Sequence, residues 1–344
     1  MWNAIPYYFN AVVFFPVYSN FLLVSTGNDK DYAQQKNTEI LNLDSEDAQV
    51  PTYHNHSQCM VGATGGFVAN KFITCGGASD GDVLNQCYEV GKTGTSKHGL
   101  MKQMRHEAAS IVMKDRLWIL GGKDVDFNVF KSTEYILHDG SQEDGPDLPT
   151  ALHAHAAIKI NETNFMLVGG YDEHYNSRDN TWVYSNGNWT DGPALKKARN
   201  YHSVGKIRDS VTHKDYIVVT GGLRNGLKNT EILEVGGTEW KAGKLLQIYK
   251  ILFENVDFIQ LFLSFIEGPD LPKHLNGHSS FILGNELIVF GGAGELGFSS
   301  EVYKMSCNKG QFIWTLMDVR LKTPRREFVA SFIPNNVIDF QSTP

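Results

Sequence analysis

The sequence predicts an all-β protein built from six repeated units. Five strand-like segments end in a glycine pair (KFITCGG, RLWILGG, FMLVGG, YIVVTGG and LIVFGG), and in a sixth, FLLVSTG, Thr26 replaces the first glycine. The second glycines lie at positions 27, 77, 122, 170, 222 and 292, so five of the six are evenly spaced and the last follows a longer interval. Such a period is typical of repeat architectures. The paired glycines are Gly76, Gly77, Gly121, Gly122, Gly169, Gly170, Gly221, Gly222, Gly291 and Gly292.

Each unit contains further segments with strand character. A short strand follows every glycine pair: TEILNL, CYEV, TEYIL, TWVYS, TEILEV and EVYKM. The later units then contain Trp189, Trp240 and Trp314, and Gly-Pro turns recur in EDGPDLP, TDGPAL and EGPDLP. A segment that opens with Arg or His, such as RHEAASIVM, leads into the next unit. The alternation of apolar and polar residues, with Gly and Pro between segments, predicts four short strands in each unit.

The double glycine, the spaced aromatic residue and the later tryptophan together resemble the kelch repeat, whose period is about 50 residues. The resemblance extends from about Phe21 to Phe340. It implies a six-bladed kelch β-propeller with four-stranded blades around a central channel. The first three units depart from the pattern, because they lack a tryptophan at the expected position. No glycine pair follows the C-terminal segment RREFVASFIP, so we expect it to complete the first blade and close the ring.

The longest interval, between Gly222 and Gly292, contains an apolar insertion, residues 244–268. Without the insertion, the length of this interval matches the lengths of the others. The sequence across the junction would then read EWKAGPDLP, which is similar to the other Gly-Pro turns. Polar residues interrupt the run, which disfavours a transmembrane helix. A surface helix that docks on a partner is one alternative. Translated non-coding sequence is the other, and we favour it because the repeat resumes unchanged. In either case we expect the segment to lie outside the propeller.

The chain therefore divides into an N-terminal leader, residues 1–20, and a propeller, residues 21–344, interrupted by the insertion. The leader segment AVVFFPVYS resembles a weak signal-peptide core, but no basic residue precedes it and Pro6 and Pro16 interrupt it. Cytoplasmic and secreted locations both stay open. A net charge of −7 argues against a general nucleic-acid binder, which needs a basic field to neutralise phosphates. We expect a soluble monomer without a transmembrane segment.

Polar residues at the start of the inter-blade strands are the candidate binding residues. Equivalent positions in a propeller lie at one level, so these side chains would converge on one face or on the channel mouth and could bind an acidic peptide, a carboxylate or a sugar. The alternative is that they are repeat residues that bond neighbouring loops. The candidates are Arg105, His106, His153, His155, Arg199, His202, His278, Arg325 and Arg326.

Signals for catalysis, metal or cofactor binding are weak. His153 and His155 would share one face of a strand, as two metal ligands could, but no third ligand is near in sequence. No nucleophile elbow or phosphate loop is present, so we predict no catalytic residues, no metal and no cofactor. Cys75 and Cys87 flank one loop of the second unit and could form a disulfide, although buried free thiols are equally compatible with the sequence.

These observations favour a non-enzymatic protein–protein interaction module that presents propeller loops to a partner. No adaptor domain of the kind that many kelch proteins carry is visible in the sequence. The alternative is a small-molecule or sugar-binding propeller, or an enzymatic one, that uses the Arg/His positions at the channel mouth. A deep pocket with convergent ionisable groups would favour the alternative, whereas a varied loop face would favour the interaction module.

Overall fold

The computed structural model describes residues 18–29, 31, 33–44, 55–92, 94–222, 228–242 and 269–334. Within these ranges there are 29 β-strands and no helix. The strands form six antiparallel blades whose inner strands contact one another in a closed cycle around a central channel. The prediction of an all-β, six-bladed propeller is confirmed. No helix in the described ranges is long and apolar enough to cross a membrane.

The blades are numbered in chain order, and their strands run from the channel outwards. Blade 1 contains β29 (Val329–Pro334), β1 (Tyr18–Ser25) and β3 (Thr38–Asn42), with β2 (Asn28–Asp29) paired to β28 (Arg325–Arg326). Blade 2 contains β4 (Thr64–Val68), β5 (Lys71–Cys75), β8 (Gln86–Gly91) and β9 (Gly94–Leu100), with the hairpin β6 (Ala78–Ser79) and β7 (Asp82–Val83). Blade 3 contains β10 (Ala109–Met113), β11 (Arg116–Leu120), β12 (Thr133–Leu137) and β13 (Gln142–Asp144).

The second half of the ring repeats this order. Blade 4 contains β14 (Ala156–Lys159), β15 (Asn164–Val168), β16 (Thr181–Ser185) and β17 (Asn188–Asp191). Blade 5 contains β18 (Ser203–Arg208), β19 (Asp215–Thr220), β20 (Thr230–Glu234) and β21 (Lys241–Ala242). Blade 6 contains β22 (Ser279–Leu283), β23 (Glu286–Phe290), β26 (Glu301–Asn308) and β27 (Gln311–Arg320), with the hairpin β24 (Ala293–Gly294) and β25 (Gly297–Phe298).

The two ends of the propeller sequence close the ring. The C-terminal strand β29 pairs with the N-terminal strand β1, with Leu22 opposite Phe332 and Val24 opposite Ala330. This pairing supplies the innermost strand of blade 1 from the opposite end of the chain, as the segment RREFVASFIP predicts. Apolar side chains of blades 1 and 6, among them Phe290, then pack together into one core cluster. Closure therefore removes the free edges that an open array would expose.

In blades 4, 5 and 6 a tryptophan is hydrogen-bonded to the Gly-Pro turn region of the preceding blade. Each indole Nε1 donates to a backbone carbonyl of that turn region. The bonds are Trp189 to Asp147 O at 2.9 Å, Trp240 to Pro193 O at 2.8 Å and Trp314 to Pro269 O at 3.1 Å. The tryptophan and the turn thus form one inter-blade joint, which explains why they recur together.

The residues on both sides of the insertion occupy ordinary repeat positions. Lys241 and Ala242 pair with β20, and after the insertion Leu271 N donates to Lys228 O at 2.7 Å. The equivalent leucines Leu148 and Leu195 make the same bond, each at 2.8 Å. The insertion itself lies outside the described residues, so its predicted place outside the propeller stays a prediction.

The glycine pairs adopt backbone conformations that favour glycine. Gly121 has a φ of 60°, and a Cβ at this position would lie 2.4 Å from Leu152 O, a carbonyl at the edge of the next blade. Thr26 replaces the equivalent glycine in blade 1 and keeps the left-handed conformation, with a φ of 67°. This conformation costs a non-glycine residue roughly 1–2 kcal/mol. The weaker first copy of the repeat therefore keeps the backbone shape at some cost in stability.

The two cysteines of blade 2 face each other across strands β5 and β8. Cys75 and Cys87 are register partners, and the structure joins them as a disulfide. Both side chains are buried. The bond lies within one blade and does not link neighbouring blades. Among the described residues, Cys59 and Cys307 are free thiols.

Candidate functional site at the channel mouth

The central channel has two different ends. The inner strands β29, β4, β10, β14, β18 and β22 line a cavity of about 1040 Å³. At one end, here called the loop face, lie the glycine pairs and the connections from each blade to the next. At the other end, here called the hairpin face, lie the tight turns between the first two strands of a blade, such as Lys114–Asp115. The candidate binding residues all precede an inner strand, so they lie at the loop face.

A closed ring of backbone hydrogen bonds surrounds the channel at the loop face. One residue of each blade donates its N–H to the carbonyl of the equivalent residue in the preceding blade, over 2.8–3.0 Å. All six residues have left-handed backbones, with φ between 49° and 65°. They are Gly62, Glu107, Ala154, Tyr201, Gly277 and Glu327. Small and large side chains alternate around this backbone ring, so Glu107, Tyr201 and Glu327 converge at the channel mouth.

Glu107 is a buried carboxylate held by groups of the loop face. His153 Nδ1 lies 2.8 Å from its Oε2, and Lys123 Nζ lies 3.1 Å from the same oxygen. Burial opposes ionisation, but the His153 hydrogen bond and the Lys123 charge outweigh it and lower the pKa of Glu107 to about 2. Because a carboxylate only accepts hydrogen bonds, His153 Nδ1 donates to Glu107, and in the neutral form of the ring Nε2 carries the lone pair.

The pKa values of Glu327 and Tyr201 are raised, in contrast to that of Glu107. Arg326 Nε lies 3.3 Å from Glu327 Oε1, yet burial dominates and raises the pKa of Glu327, with the nearby Glu107 charge adding to the effect. Burial and the charges of Glu107 and Glu327 also raise the pKa of Tyr201, which therefore stays a neutral phenol. The mouth thus contains one firmly ionised carboxylate and a second one that is harder to ionise.

Several buried polar atoms beside the backbone ring have no hydrogen-bond partner within the described part of the chain. They include His153 Nε2, Asn200 Oδ1 and both ring nitrogens of His155 and His202. The His153 ring stacks on Tyr171 with 5.3 Å between centroids, and Asn200 uses its amide nitrogen to bond Ser177 Oγ at 2.7 Å. A buried polar atom without a partner costs about 1–3 kcal/mol, so these atoms mark places where a ligand group or water would be stabilised.

Two neighbouring loops carry exposed aromatic side chains beside Lys123. Phe127 is 64% exposed and Tyr175 is 39% exposed. Lys123 Nζ lies 5.7 Å from the centroid of the Phe127 ring and 5.4 Å from that of Tyr175. Both aromatic residues have left-handed backbones, with φ of 65° and 60°. Such a conformation is unusual for a bulky residue and often marks a functional position.

The loops hold the two aromatic residues in the same way. In blade 3, Asp124 accepts the N–H of Phe127 through its carbonyl, at 3.2 Å, and the N–H of Asn128 through Oδ1, at 2.9 Å. In blade 4, Asp172 makes the same two bonds with Tyr175 and Asn176, at 3.0 and 2.9 Å. The aromatic side chains therefore project from two equivalent, ordered turns.

Three predicted arginines are buried between the blades. Each guanidinium donates to a carbonyl of the glycine-pair position and bonds a glutamate oxygen within 2.5–2.6 Å. The pairs are Arg105–Glu134, Arg199–Glu231 and Arg325–Glu39. The remaining glutamate oxygen accepts a backbone N–H of Lys102, Lys196 or Lys322. These arginines bond within the chain, so their predicted role in ligand binding has no support from their position.

The predicted histidines and Arg326 separate into two groups. His106, His153 and Arg326 lie at the mouth, next to Glu107 and Glu327. The other three are buried between blades: desolvation lowers the pKa of His155 and His278 to about 3, and that of His202 well below its usual value. His278 Nε2 lies 2.9 Å from Thr220 Oγ1. All three also border the central cavity, and both ring nitrogens of His155 and His202 lack a hydrogen-bond partner among the described residues.

Sequence reasoning missed Glu107, Tyr201 and Glu327. A signal for them was present, since each is the second residue after a buried arginine, in the triplets RHE, RNY and RRE. Phe127 and Tyr175 were missed as well, although both follow an aspartate by three residues, in DVDF and DEHY. Within the described residues, no group of three or more His, Cys, Asp or Glu side chains could hold a metal ion.

Comparisons with known proteins bear on the fold alone. No protein-family model matches the chain, and no curated protein matches its sequence. Among solved structures, one described as "Structure of YjhT" is similar, with a TM-score of 0.63 and 10% sequence identity. The match covers 88% of this chain and 98% of that one. The propeller architecture is thus shared with a solved structure, whereas membership of the kelch family stays a prediction.

Proposed function

We propose that this propeller is a protein-binding module that docks a segment of its partner across the channel mouth on the loop face. The observation that carries the proposal is the pair of exposed aromatic residues, Phe127 and Tyr175, in left-handed conformations. An asparagine or glycine would adopt these conformations at lower cost. Large aromatic side chains at exposed, unfavourable positions are understandable if they contact a partner, where aromatic residues are enriched.

The other candidate groups are already paired within the chain, which leaves the aromatic loops of blades 3 and 4 as the surface for a partner. The buried arginines are matched with glutamates, and Glu107 is matched with Lys123 and His153. In contrast, Phe127 and Tyr175 are 64% and 39% exposed to solvent. We therefore place the contact surface on the loops of blades 3 and 4 and around the mouth, and we assign the repeat to the kelch class on the basis of its glycine, tryptophan and turn pattern.

Site-specific photocrosslinking tests this proposal. A benzoylphenylalanine in place of Phe127 or Tyr175 is expected to crosslink one partner protein, and excess unmodified protein should compete. The matched control is the same photoprobe at Asp139, an exposed turn residue on the hairpin face. Crosslinking of the same protein at Asp139 but not at Phe127 would place the contact on the wrong face and contradict the proposal.

A second candidate is the binding or conversion of a small polar molecule such as a sugar. It is favoured by two neighbouring carboxyls whose pKa values are shifted in opposite directions, beside a cavity of about 1040 Å³. Such divergent pairs are common in acid–base sites. Calorimetry with a panel of sugars and a Glu327→Gln variant tests it: binding that the variant abolishes would support this function, and a panel without any binding sugar would count against it.

A further inference from the structure

We propose that the channel mouth takes an arginine side chain of the partner, with the guanidinium against the mouth acceptors and the aromatic loops. This inference rests on the docking face proposed above and names the chemistry that the face recognises. The groups that define it are Glu327, His153 Nε2, Asn200 Oδ1, Phe127 and Tyr175. They lie on blades 1, 3, 4 and 5, around the same backbone ring.

Two of the unpartnered groups nearest the aromatic loops, on His153 and Asn200, can act as acceptors. His153 uses Nδ1 for Glu107, so in the neutral form of the ring its buried Nε2 presents a lone pair. Asn200 uses its amide nitrogen for Ser177, so its buried Oδ1 accepts as well. A guanidinium has five N–H donors and no acceptor, which complements such a set. A carboxylate or phosphate, which also only accepts, would leave these acceptors unsatisfied.

The charges of the loop face favour a cation. At the centre, Glu107 is matched by Lys123 and Glu327 by Arg326, so these four groups contribute little net charge. In the described part of the chain, the loop tips around them carry exposed acids, and the best placed are Asp126 and Glu173, next to the aromatic residues. Other exposed acids, on the tip of blade 2, are Asp80 and Asp82. The same face also carries exposed lysines, among them Lys131 in the Phe127 loop, so the acidic character is confined to the tips beside the aromatic residues. These tips would attract a cationic side chain.

The aromatic loops favour arginine over lysine. The planar guanidinium stacks on aromatic faces, whereas the lysine ammonium is a compact, strongly hydrated point charge. The Lys123 ammonium already lies 5.7 Å from the Phe127 ring centroid and 5.4 Å from that of Tyr175, which shows that the ring faces are placed for a cation. Lys123 is neutralised by Glu107, and Phe127 and Tyr175 are 64% and 39% exposed, so the exposed parts of the two rings can meet a second cation from the partner.

Fluorescence anisotropy with a labelled glycine–serine peptide that carries spaced arginines tests this inference. At low ionic strength we expect saturable binding, about tenfold weaker when citrulline, the neutral isostere, replaces arginine. Tyr175→Asn should weaken binding to a similar extent, and Asp126→Asn with Glu173→Gln should weaken it about threefold or more. The matched controls are Asp115→Asn and Glu162→Gln, which remove exposed acids from the hairpin face and should leave binding unchanged.

The outcomes separate this inference from the docking proposal. Equal binding of the arginine and citrulline peptides, or equal binding to wild type and Tyr175→Asn, would overturn the arginine assignment. If the peptide fails in this way while photocrosslinking still maps the partner to Phe127, the docking face stands and only the arginine assignment falls. If peptide binding is lost in the hairpin-face controls instead, both are overturned.

Discussion

The contacts between neighbouring blades, which we call joints, and the channel mouth contain the same kinds of polar residues. In the joints these residues stabilise the fold, whereas at the mouth they are available for binding. In the joints, Arg105, Arg199 and Arg325 are fully buried, and every guanidinium is matched with a glutamate and backbone carbonyls. At the mouth, only two residues away along the chain, Glu107 and Glu327 lie among partly exposed groups and unpartnered acceptors. A repeated polar residue can therefore be structural while its close neighbour is available for binding.

Two kinds of joint, one with a buried arginine and one with an apolar residue, alternate around the ring. Arginine occupies the position two residues before the backbone ring in blades 1, 3 and 5, whereas the equivalent residues in blades 2, 4 and 6 are Met60, Leu152 and Leu275. The arginine joints coincide with the Thr-Glu pairs of TEILNL, TEYIL and TEILEV. An apolar residue in three blades therefore occupies the position that a buried arginine occupies in the other three. Neighbouring blades can thus be joined either by apolar packing or by a buried ion pair.

The largest expected effect is acid unfolding that starts in the joints. His155, His202 and His278 are buried and neutral, and their folded-state pKa values lie below the ordinary value of 6.5. The unfolded chain therefore binds more protons below that pH. The contribution of these histidines is fully present above about pH 6.5. It falls by roughly 1.4 kcal/mol per pH unit for His155 and for His278 between pH 6.5 and about 3, and His202 acts in the same direction.

Urea unfolding at several pH values measures this slope. His278→Phe is the informative variant, because Phe328 occupies the equivalent position in blade 1. The variant should lose about 1.4 kcal/mol per pH unit of the acid slope. A slope equal to that of the wild type would show that His278 is not a buried neutral group.

The next effect concerns one ion-pair joint. Arg199→Leu leaves Glu231 buried without its cation, and we expect a loss of about 3–5 kcal/mol in the free energy of unfolding at pH 7. The double variant Arg199→Leu with Glu231→Leu, which imitates an apolar joint, should recover much of this loss. Removal of the exposed pair through Arg116→Met, next to Glu143, should cost less than about 1 kcal/mol. Equal losses for the buried and exposed arginines would contradict the assignment of Arg199 to the joint.

A smaller effect is expected at the tryptophan joints. Trp240→Phe keeps an aromatic ring but removes the Nε1 bond to Pro193 O, and it should lower the free energy of unfolding by about 1–2 kcal/mol. Trp314→Phe, whose bond to Pro269 O is longer, should cost the same or less. Chemical denaturation of the two variants checks this order. No loss in either would mean that the tryptophans act through ring packing alone.

The sequence was sufficient for the architecture, because each part of the repeat has a local chemical signal. The evenly spaced glycine pairs, the Gly-Pro turns and the segment RREFVASFIP predicted six blades and their closure, and the structure shows that the paired glycines have left-handed backbones. The site was harder, since the direction of a side chain depends on backbone geometry that pattern alone does not show. The sequence pattern placed all the Arg and His candidates at one level around the channel. In the structure, His155 is buried between blades, although it directly follows Ala154, a left-handed residue of the backbone ring. Burial and partners distinguish the two groups only in the folded chain.

The central claim is that the joints stabilise the propeller and the mouth binds. The most direct test is the double variant Phe127→Asn with Tyr175→Asn, in which both left-handed positions receive a residue that tolerates them. Measured side by side, its free energy of unfolding should rise by about 1–2 kcal/mol, while its affinity for the crosslinked partner should fall at least tenfold. A variant that is less stable than the wild type and still binds the partner equally well would contradict the account.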